Sequence, residues 1–220
     1  MRMKRMNRKI SVCILLILTL LCAVSSCTPR FEYKDGAYVD KKNDNAYVAA
    51  IGNLEPAAIG EEYAKIGSNM LNRIDGLDPA EFLCERTTRA VFCNKEIKIP
   101  SFEELTVEKI LLCYEDAVVI EFKTLTEQAD IDYIRDAYLN GTPGMGFASV
   151  SEIKDRMSIK FVVKELPGLY FSILYTTGED GRAYITDRYN SDRTRVSIVA
   201  DGLLDRYIKS TDTGSEGETE

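Results

Sequence analysis

The chain has 220 residues, enough for one or two domains, with 28 Lys/Arg against 35 Asp/Glu and a net charge of −7. It contains no histidine and no tryptophan. Without histidine no Ser-His-Asp triad, Cys-His dyad or His-ligated zinc site can be assembled, and the acidic balance argues against nucleic acid or anionic lipid held by charge.

The first 27 residues set the address. Met1–Lys9 carries Arg2, Lys4, Arg5, Arg8 and Lys9 and no acid, and Ile10–Val24 is uncharged and apolar except at Ser11 and Thr19. That layout predicts a secretory signal peptide over residues 1–26, with the rest of the chain exported. Val24-Ser25-Ser26-Cys27 resembles the lipobox of bacterial membrane lipoproteins: an aliphatic residue, two small ones, then cysteine. The resemblance implies cleavage before Cys27, lipidation of its thiol and a domain tethered to the extracytoplasmic face of the cell membrane. An uncleaved helix over the uncharged stretch Ile10–Pro29 is the rival reading and gives the same topology. Loss of residues 1–26 takes the 28 basic residues to 23 against 35 acidic ones.

Residues 27–35 read as a spacer from the membrane and 36–209 as one globular domain, with a possible break between lobes near 100–106, at Pro100-Ser101. Short strands are expected at 37–39 and 46–50 around the Asp/Asn-rich loop Asp40–Asn45. The acids there do not have the alternate spacing and central glycine of a calcium loop. Gly60–Ile74 is ambiguous between helix and strand. Glu81–Arg86 and Ala90–Asn94 alternate as a hairpin, or the Asp78-Pro79 start opens a short helix through Cys84.

A two-residue turn at Thr88-Arg89 would place Cys84 opposite Cys93 in a non-hydrogen-bonded pair, where a disulfide is possible, leaving Cys113 buried and free. A longer turn with another register is the alternative. With Cys13 and Cys22 lost and Cys27 lipidated, these three are the cysteines of the mature chain, and no C-x-x-C is present.

Val107–Tyr114 and Ala117–Thr124 form the clearest hairpin of the first half, turned by Glu115-Asp116, and should lie centrally in the sheet. Residues 127–139 read as the main helix, capped by Thr126, with Ile131, Ile134 and Tyr138 on one stripe and Asn140-Gly141 as a left-handed stop. Met157–Lys164 alternates strictly, with Met157, Ile159, Phe161 and Val163 inward and Ser158, Lys160 and Lys164 outward. A glycine turn at Leu166–Leu169 leads to strands 169–176 and 182–188, a half-buried meander. Leu203, Leu204, Tyr207 and Ile208 predict a short final helix, and residues 210–220 an acidic disordered tail. The expected fold class is α+β: an antiparallel sheet of hairpins and a C-terminal meander, with one main and one short helix.

Candidate chemistry is sparse. Ser151-Glu152-Ile153-Lys154 resembles the S-x-x-K nucleophile motif of penicillin-binding proteins and β-lactamases, and Ser191-Asp192-Arg193 nearly matches their second motif. Their K-T-G motif is missing; Thr176-Thr177-Gly178 is the nearest string and comes too early. Asp132 and Asp136 share a helix face, with Asp130 nearby, as an acid–base pair would require. Gly141–Gly146 lacks the Lys-Ser/Thr of a phosphate loop and the third glycine of a dinucleotide turn, so no cofactor is expected. All 12 tyrosines lie beyond residue 27 and read mainly as half-buried packing residues.

Ile59-Gly60, Gly76-Leu77-Asp78-Pro79 and Cys93-Asn94 together resemble uncharacterised lipoproteins of Gram-positive bacteria, a resemblance that brings no activity with it. The expectation is a tethered, non-enzymatic module for an extracytoplasmic protein or ligand, with no nucleic-acid partner. A carboxylate-dependent hydrolase of the cell envelope is the competing class.

Overall fold

Strand-length apolar runs punctuated by glycine and Asx turns dominate the chain, and they fold into two antiparallel sheets. A computed structural model describes residues 31–50, 52–115, 118–143, 153–178, 182–188, 196–199 and 202–208. The first half supplies β1 (Phe31–Lys34), β2 (Ala37–Asp40), β3 (Asn45–Ala49), β4 (Leu54–Pro56), β5 (Ile59–Ile66), β6 (Asn69–Ile74), β7 (Phe82–Glu85) and β8 (Val91–Asn94). All but β4 form one sheet in the order β1-β2-β3-β8-β7-β6-β5. Asp35 and Gly36 both hold positive φ (51° and 81°), the geometry that lets a two-residue turn match strand twist. The sheet curls until β1 lies beside β5, where the Phe31 ring meets Tyr63 edge-on at 5.9 Å. Its inner face buries Tyr38, Tyr47, Ala64, Leu71 and Leu83.

The second half supplies β9 (Val107–Glu115), β10 (Val119–Leu125), α1 (Gln128–Asn140), β11 (Thr142–Pro143), β12 (Ile153–Val163), β13 (Leu169–Gly178), β14 (Ala183–Asp187), β15 (Val196–Val199) and α2 (Asp205–Ile208). The second sheet runs β10-β9-β12-β13-β14-β15-β11, and β4 crosses from the first half to pair with β13. Its core face presents Ile110, Leu112, Ile159, Phe161, Phe171, Ile173 and Tyr175. Against that face pack the outer side of the first sheet (Ile74, Phe82, Cys84, Val91, Cys93), the α1 stripe Ile131-Ile134-Tyr138, and Leu203, Leu204 and Tyr207. Phe102, on a single 3-10 turn (Phe102–Glu104), stacks on Phe171 at 4.2 Å and meets Phe161 and Tyr138 edge-on.

The described residues are therefore predominantly β with two short α-helices, and the α+β expectation needs that correction. The ambiguous stretch 60–74 is strand on both sides of a Gly67 turn (φ 59°), not helix. Residues 31–34, expected in the spacer, pair with β2. The main helix starts one residue late, with Glu127 rather than Thr126 at its cap. Gly141 is extended (φ −60°, ψ 148°), not left-handed, because Thr142–Pro143 must enter directly as a strand beside β15. The 107–124 hairpin forms, but β10 is an edge strand, as its exposed Glu121, Lys123 and Thr124 allow. The glycine turn is present, with Gly168 at φ 88° and Leu169 N–H donating to the Leu166 carbonyl at 3.0 Å.

The cysteine register also differs. A two-residue turn at Thr88-Arg89 would need positive φ at both positions, which β-branched Thr88 resists. Only Arg89 takes it (φ 59°), and residues 86–89 form a longer loop closed by Glu85 N–H donating to the Ala90 carbonyl. The register slips by two, setting Cys84 opposite Val91 and Cys93 opposite Phe82. Cys84, Cys93 and Cys113 are all buried free thiols, so the Cys84–Cys93 bridge is absent.

Candidate functional site

Strict alternation along β12 assigns Ser158 and Lys160 to solvent, yet both are buried, at 0% and 5% exposure. The strands on either side explain this. On the face opposite the core, Lys160 stands across from Leu111 of β9 and Ser172 of β13, while Ser158 stands across from Cys113 and Leu174. All of these are buried, so the meander is covered on both faces rather than half-buried.

A lysine at that depth requires a partner. It is Glu55, carried in by the three buried residues of β4, which lies opposite Tyr170 of β13. Glu55 Oε1 accepts from Lys160 Nζ, and Oε2 lies 3.2 Å from Arg188 Nε just beyond β14. Glu55 is thus a fully buried carboxylate bracketed by two cations.

The approach to β4 is bolted in place by Asn53. Its carbonyl accepts from Ser172 N–H at 2.7 Å, its Oδ1 from Arg188 N–H at 2.9 Å, and its amide donates to Asp187 Oδ1 at 2.8 Å and to the Tyr138 hydroxyl at 3.1 Å. Arg89 holds the far end by donating to the Pro56 carbonyl at 2.6 Å.

Cys113 and Tyr170 share this environment. Burial pushes the Cys113 thiol up, with Lys160 pulling the other way, so it stays protonated and unreactive at neutral pH. Burial, and then the Glu55 carboxylate, raise Tyr170, whose ring centre lies 5.5 Å from Lys160 Nζ. Ser172 Oγ is buried without a hydrogen-bond partner among the described residues. The cluster fixes three distant segments against one another. Its carboxylate and its lysine are engaged with each other, so neither is poised as a base or a nucleophile.

The surface offers a second feature. Among the described residues the exposed large hydrophobic side chains are Tyr33, Tyr114, Val118, Val119, Ile120 and Tyr133, and four of the six lie on the β9–β10 hairpin. Phe122 extends this patch, its ring 4.5 Å from that of Tyr114.

The sequence candidates do not converge. Asp132 accepts from the Gln128 amide at 2.8 Å, Asp136 from Asn140 at 2.7 Å, and Asp130 from the Tyr207 hydroxyl at 2.8 Å and Arg206 at 3.0 Å. Each is tied to its own neighbour, and no two form a pair. Asp40 accepts from the Lys42 and Asn43 backbone and from the Asn43 amide, as an Asx turn does. Among the described residues no group of three Cys, Asp or Glu is arranged to hold a metal.

Tyrosines are mostly packing residues: Tyr38, Tyr47, Tyr138, Tyr175, Tyr184 and Tyr207 are buried. Ser151, Glu152, Ser191–Arg193, the loop residues 144–146, Cys27 with its signal segment and the tail 210–220 lie outside the described residues. No helix among the described residues is long and apolar enough to cross a membrane.

Sequence reasoning missed the cluster because Glu55 and Arg188 carry no local signature. The available signal was Leu174, an apolar residue at an "outward" position of β13, which hints that this face is covered too. Comparison with protein-family models, with curated proteins and with solved structures finds no match.

Proposed function

We propose that this chain is a lipoprotein held by Cys27 to the extracytoplasmic face of the cell membrane, where its β domain serves as a binding module rather than an enzyme. The observation that carries the reading is the β9–β10 hairpin. A soluble face has no use for Tyr114, Val118, Val119 and Ile120 together at the open edge of a sheet, whereas a docking surface does. The carboxylates support it from the other side: Asp130, Asp132 and Asp136 are individually engaged, and Glu55 is buried between cations.

Two measurements test the reading on the full chain. Cells labelled with a fatty-acid analogue should mark the protein, and Cys27→Ser should abolish the label and release the chain from membranes. Purified protein should show no turnover of cell-wall or ester substrates. Turnover lost on a single Asp, Glu or Ser151 substitution would establish the hydrolase instead.

A further inference from the structure

The reverse face of the second sheet carries buried hydrogen-bond donors that the ionic cluster does not use. Ser158 and Lys160 lie two apart on β12 and share that face, and Ser172 of β13 stands directly across from Lys160. The Ser158 and Ser172 hydroxyls are fully buried, and neither has a hydrogen-bond partner among the described residues. Cys113 stands across from Ser158, and a thiol is a weak partner for a hydroxyl. Lys160 carries three ammonium protons, of which Glu55 Oε1 accepts one, and the Tyr170 ring centre lies 5.5 Å from the nitrogen. β4 and β12 flank β13 on its two edges, so the Lys160 side chain spans β13 to reach Glu55.

Buried donors without acceptors are destabilising, so this spot favours a group that only accepts. A carboxylate is such a group, and an ammonium beside it makes the hydrogen bond charge-assisted. The surroundings decide what carries the carboxylate. On the same face Leu111 stands across from Lys160 and Leu174 across from Ser158. Both leucines are buried, yet they belong neither to the shared core nor to the interior of the first sheet. A few convergent polar groups among apolar walls is the make-up of a small-molecule seat. Glu121, the acid opposite Cys113 on β10, is exposed, and solvent screens its charge.

We propose that this face seats a small aliphatic acid. Its carboxylate is held by Lys160 and by the Ser158 and Ser172 hydroxyls, and its chain lies along Leu111, Cys113 and Leu174. Lys160 is then shared by two carboxylates, that of Glu55 and that of the ligand. The seat goes beyond the docking role of the exposed β9–β10 patch and uses none of its side chains, so its failure leaves that reading and the lipid anchor standing.

The experiment uses the full chain, taken from cells and held in lipid nanodiscs, with empty nanodiscs as the blank. Titration calorimetry with octanoate should show saturable uptake at one per chain. Methyl octanoate, which lacks the charge, should bind at least about tenfold more weakly. Ser158→Ala and Ser172→Ala should each weaken octanoate about tenfold, the effect of one hydrogen bond to a charged group. Neither should lower the urea midpoint, because each removes a hydroxyl without a partner. An octanoate analogue with a diazirine on its chain locates the seat without any substitution: on illumination it should attach to β9, β12 or β13, and excess octanoate should prevent this.

Saturable uptake that depends on the charge and on both serines, with attachment at those strands, confirms the seat. No saturable uptake by the parent chain overturns it, and the hydroxyls then hold ordered water only. An ester that binds as tightly as the acid, serine variants that bind like the parent, or attachment confined to other parts of the chain each overturn it as well.

Discussion

The curled first sheet and the reverse face of the second sheet are both buried, by opposite chemical means. The first sheet fills its interior with aromatic and aliphatic side chains and lets their polar tips reach the rim. Tyr47 donates its hydroxyl to the Pro79 carbonyl at 2.8 Å, and the Tyr38 hydroxyl accepts from Asn69 at 3.1 Å. The second sheet's reverse face instead encloses Glu55, Lys160 and Arg188. Apolar surface packs against whatever arrives, whereas an ionic cluster is tolerable only when every member is in place. The first interior therefore supplies stability, and the second supplies a condition on assembly: β4, β12 and the end of β14 must all arrive.

The sharpest way to break this comparison is to remove the shared member of the cluster. Glu55→Leu leaves Lys160 and Arg188 buried without their carboxylate and should cost about 4 kcal/mol, within the usual range for an orphaned buried charge. Lys160→Met should cost clearly less, because Glu55 keeps Arg188. Urea unfolding of the two variants compares them directly. Equal small losses would mean that water reaches the cluster. The matching change inside the curled sheet, Leu83→Ala, should cost about 3 kcal/mol by transfer and cavity terms, with no dependence on any partner.

The same contrast marks what could be read in the sequence. Hairpins showed themselves wherever alternation and turn residues agreed: strands 37–40 and 45–49 around the Asp/Asn loop, the 107–125 hairpin, and the meander from 157 to 187. The helical stripe Ile131-Ile134-Tyr138 was visible for the same reason. Those are local signals. Whether Lys160 faces solvent is decided by Glu55, 105 positions earlier, and no period encodes that. The Cys84–Cys93 register failed at a finer level: two extra residues on the Glu85 side of the loop slip the pairing by two, and only Arg89 takes a positive φ there. Of the β9–β10 hairpin, the strands were legible but not its place at the sheet's edge.

The thiols give a third test, bearing on the wall between the two regions. Burial pushes the Cys84 thiol up to about 11. Against an ordinary thiol near 9, that leaves about a hundredfold less thiolate at neutral pH, before burial itself blocks access. Alkylation of Cys84 in the native protein at pH 8 should therefore be slower by at least about that factor than in the unfolded chain. Under denaturant without reductant, Cys84 and Cys93 should both take up the reagent. A mass lower by two hydrogens, with neither cysteine labelled, would restore the disulfide and require the 86–89 loop to be shorter than it is here.

The smallest effect compares the curled sheet with the shared core by pH. Burial raises the Tyr47 phenol to about 12, with the Asn45 amide opposing, and raises Tyr207 in the shared core to about 12, with Asp130 reinforcing the rise. A folded-state pKa above the unfolded value of 10.0 means that folding favours the neutral phenol. That contribution is complete below pH 10 and is lost as pH rises through the folded value near 12. At pH 8, Tyr47→Phe should cost about 1 kcal/mol, the worth of the bond to the Pro79 carbonyl. Between pH 10 and 12 the gap between parent and variant should close and then reverse, because the variant has no phenol to ionise. Tyr207→Phe repeats the test in the shared core: it should reproduce the alkaline trend while weakening the contact of α2 with Asp130 of α1 instead of the curled sheet. Urea midpoints measured from pH 8 to pH 12 decide the matter. A gap for Tyr47→Phe that stays constant across that range would place the Tyr47 hydroxyl in water and open the interior of the first sheet to solvent.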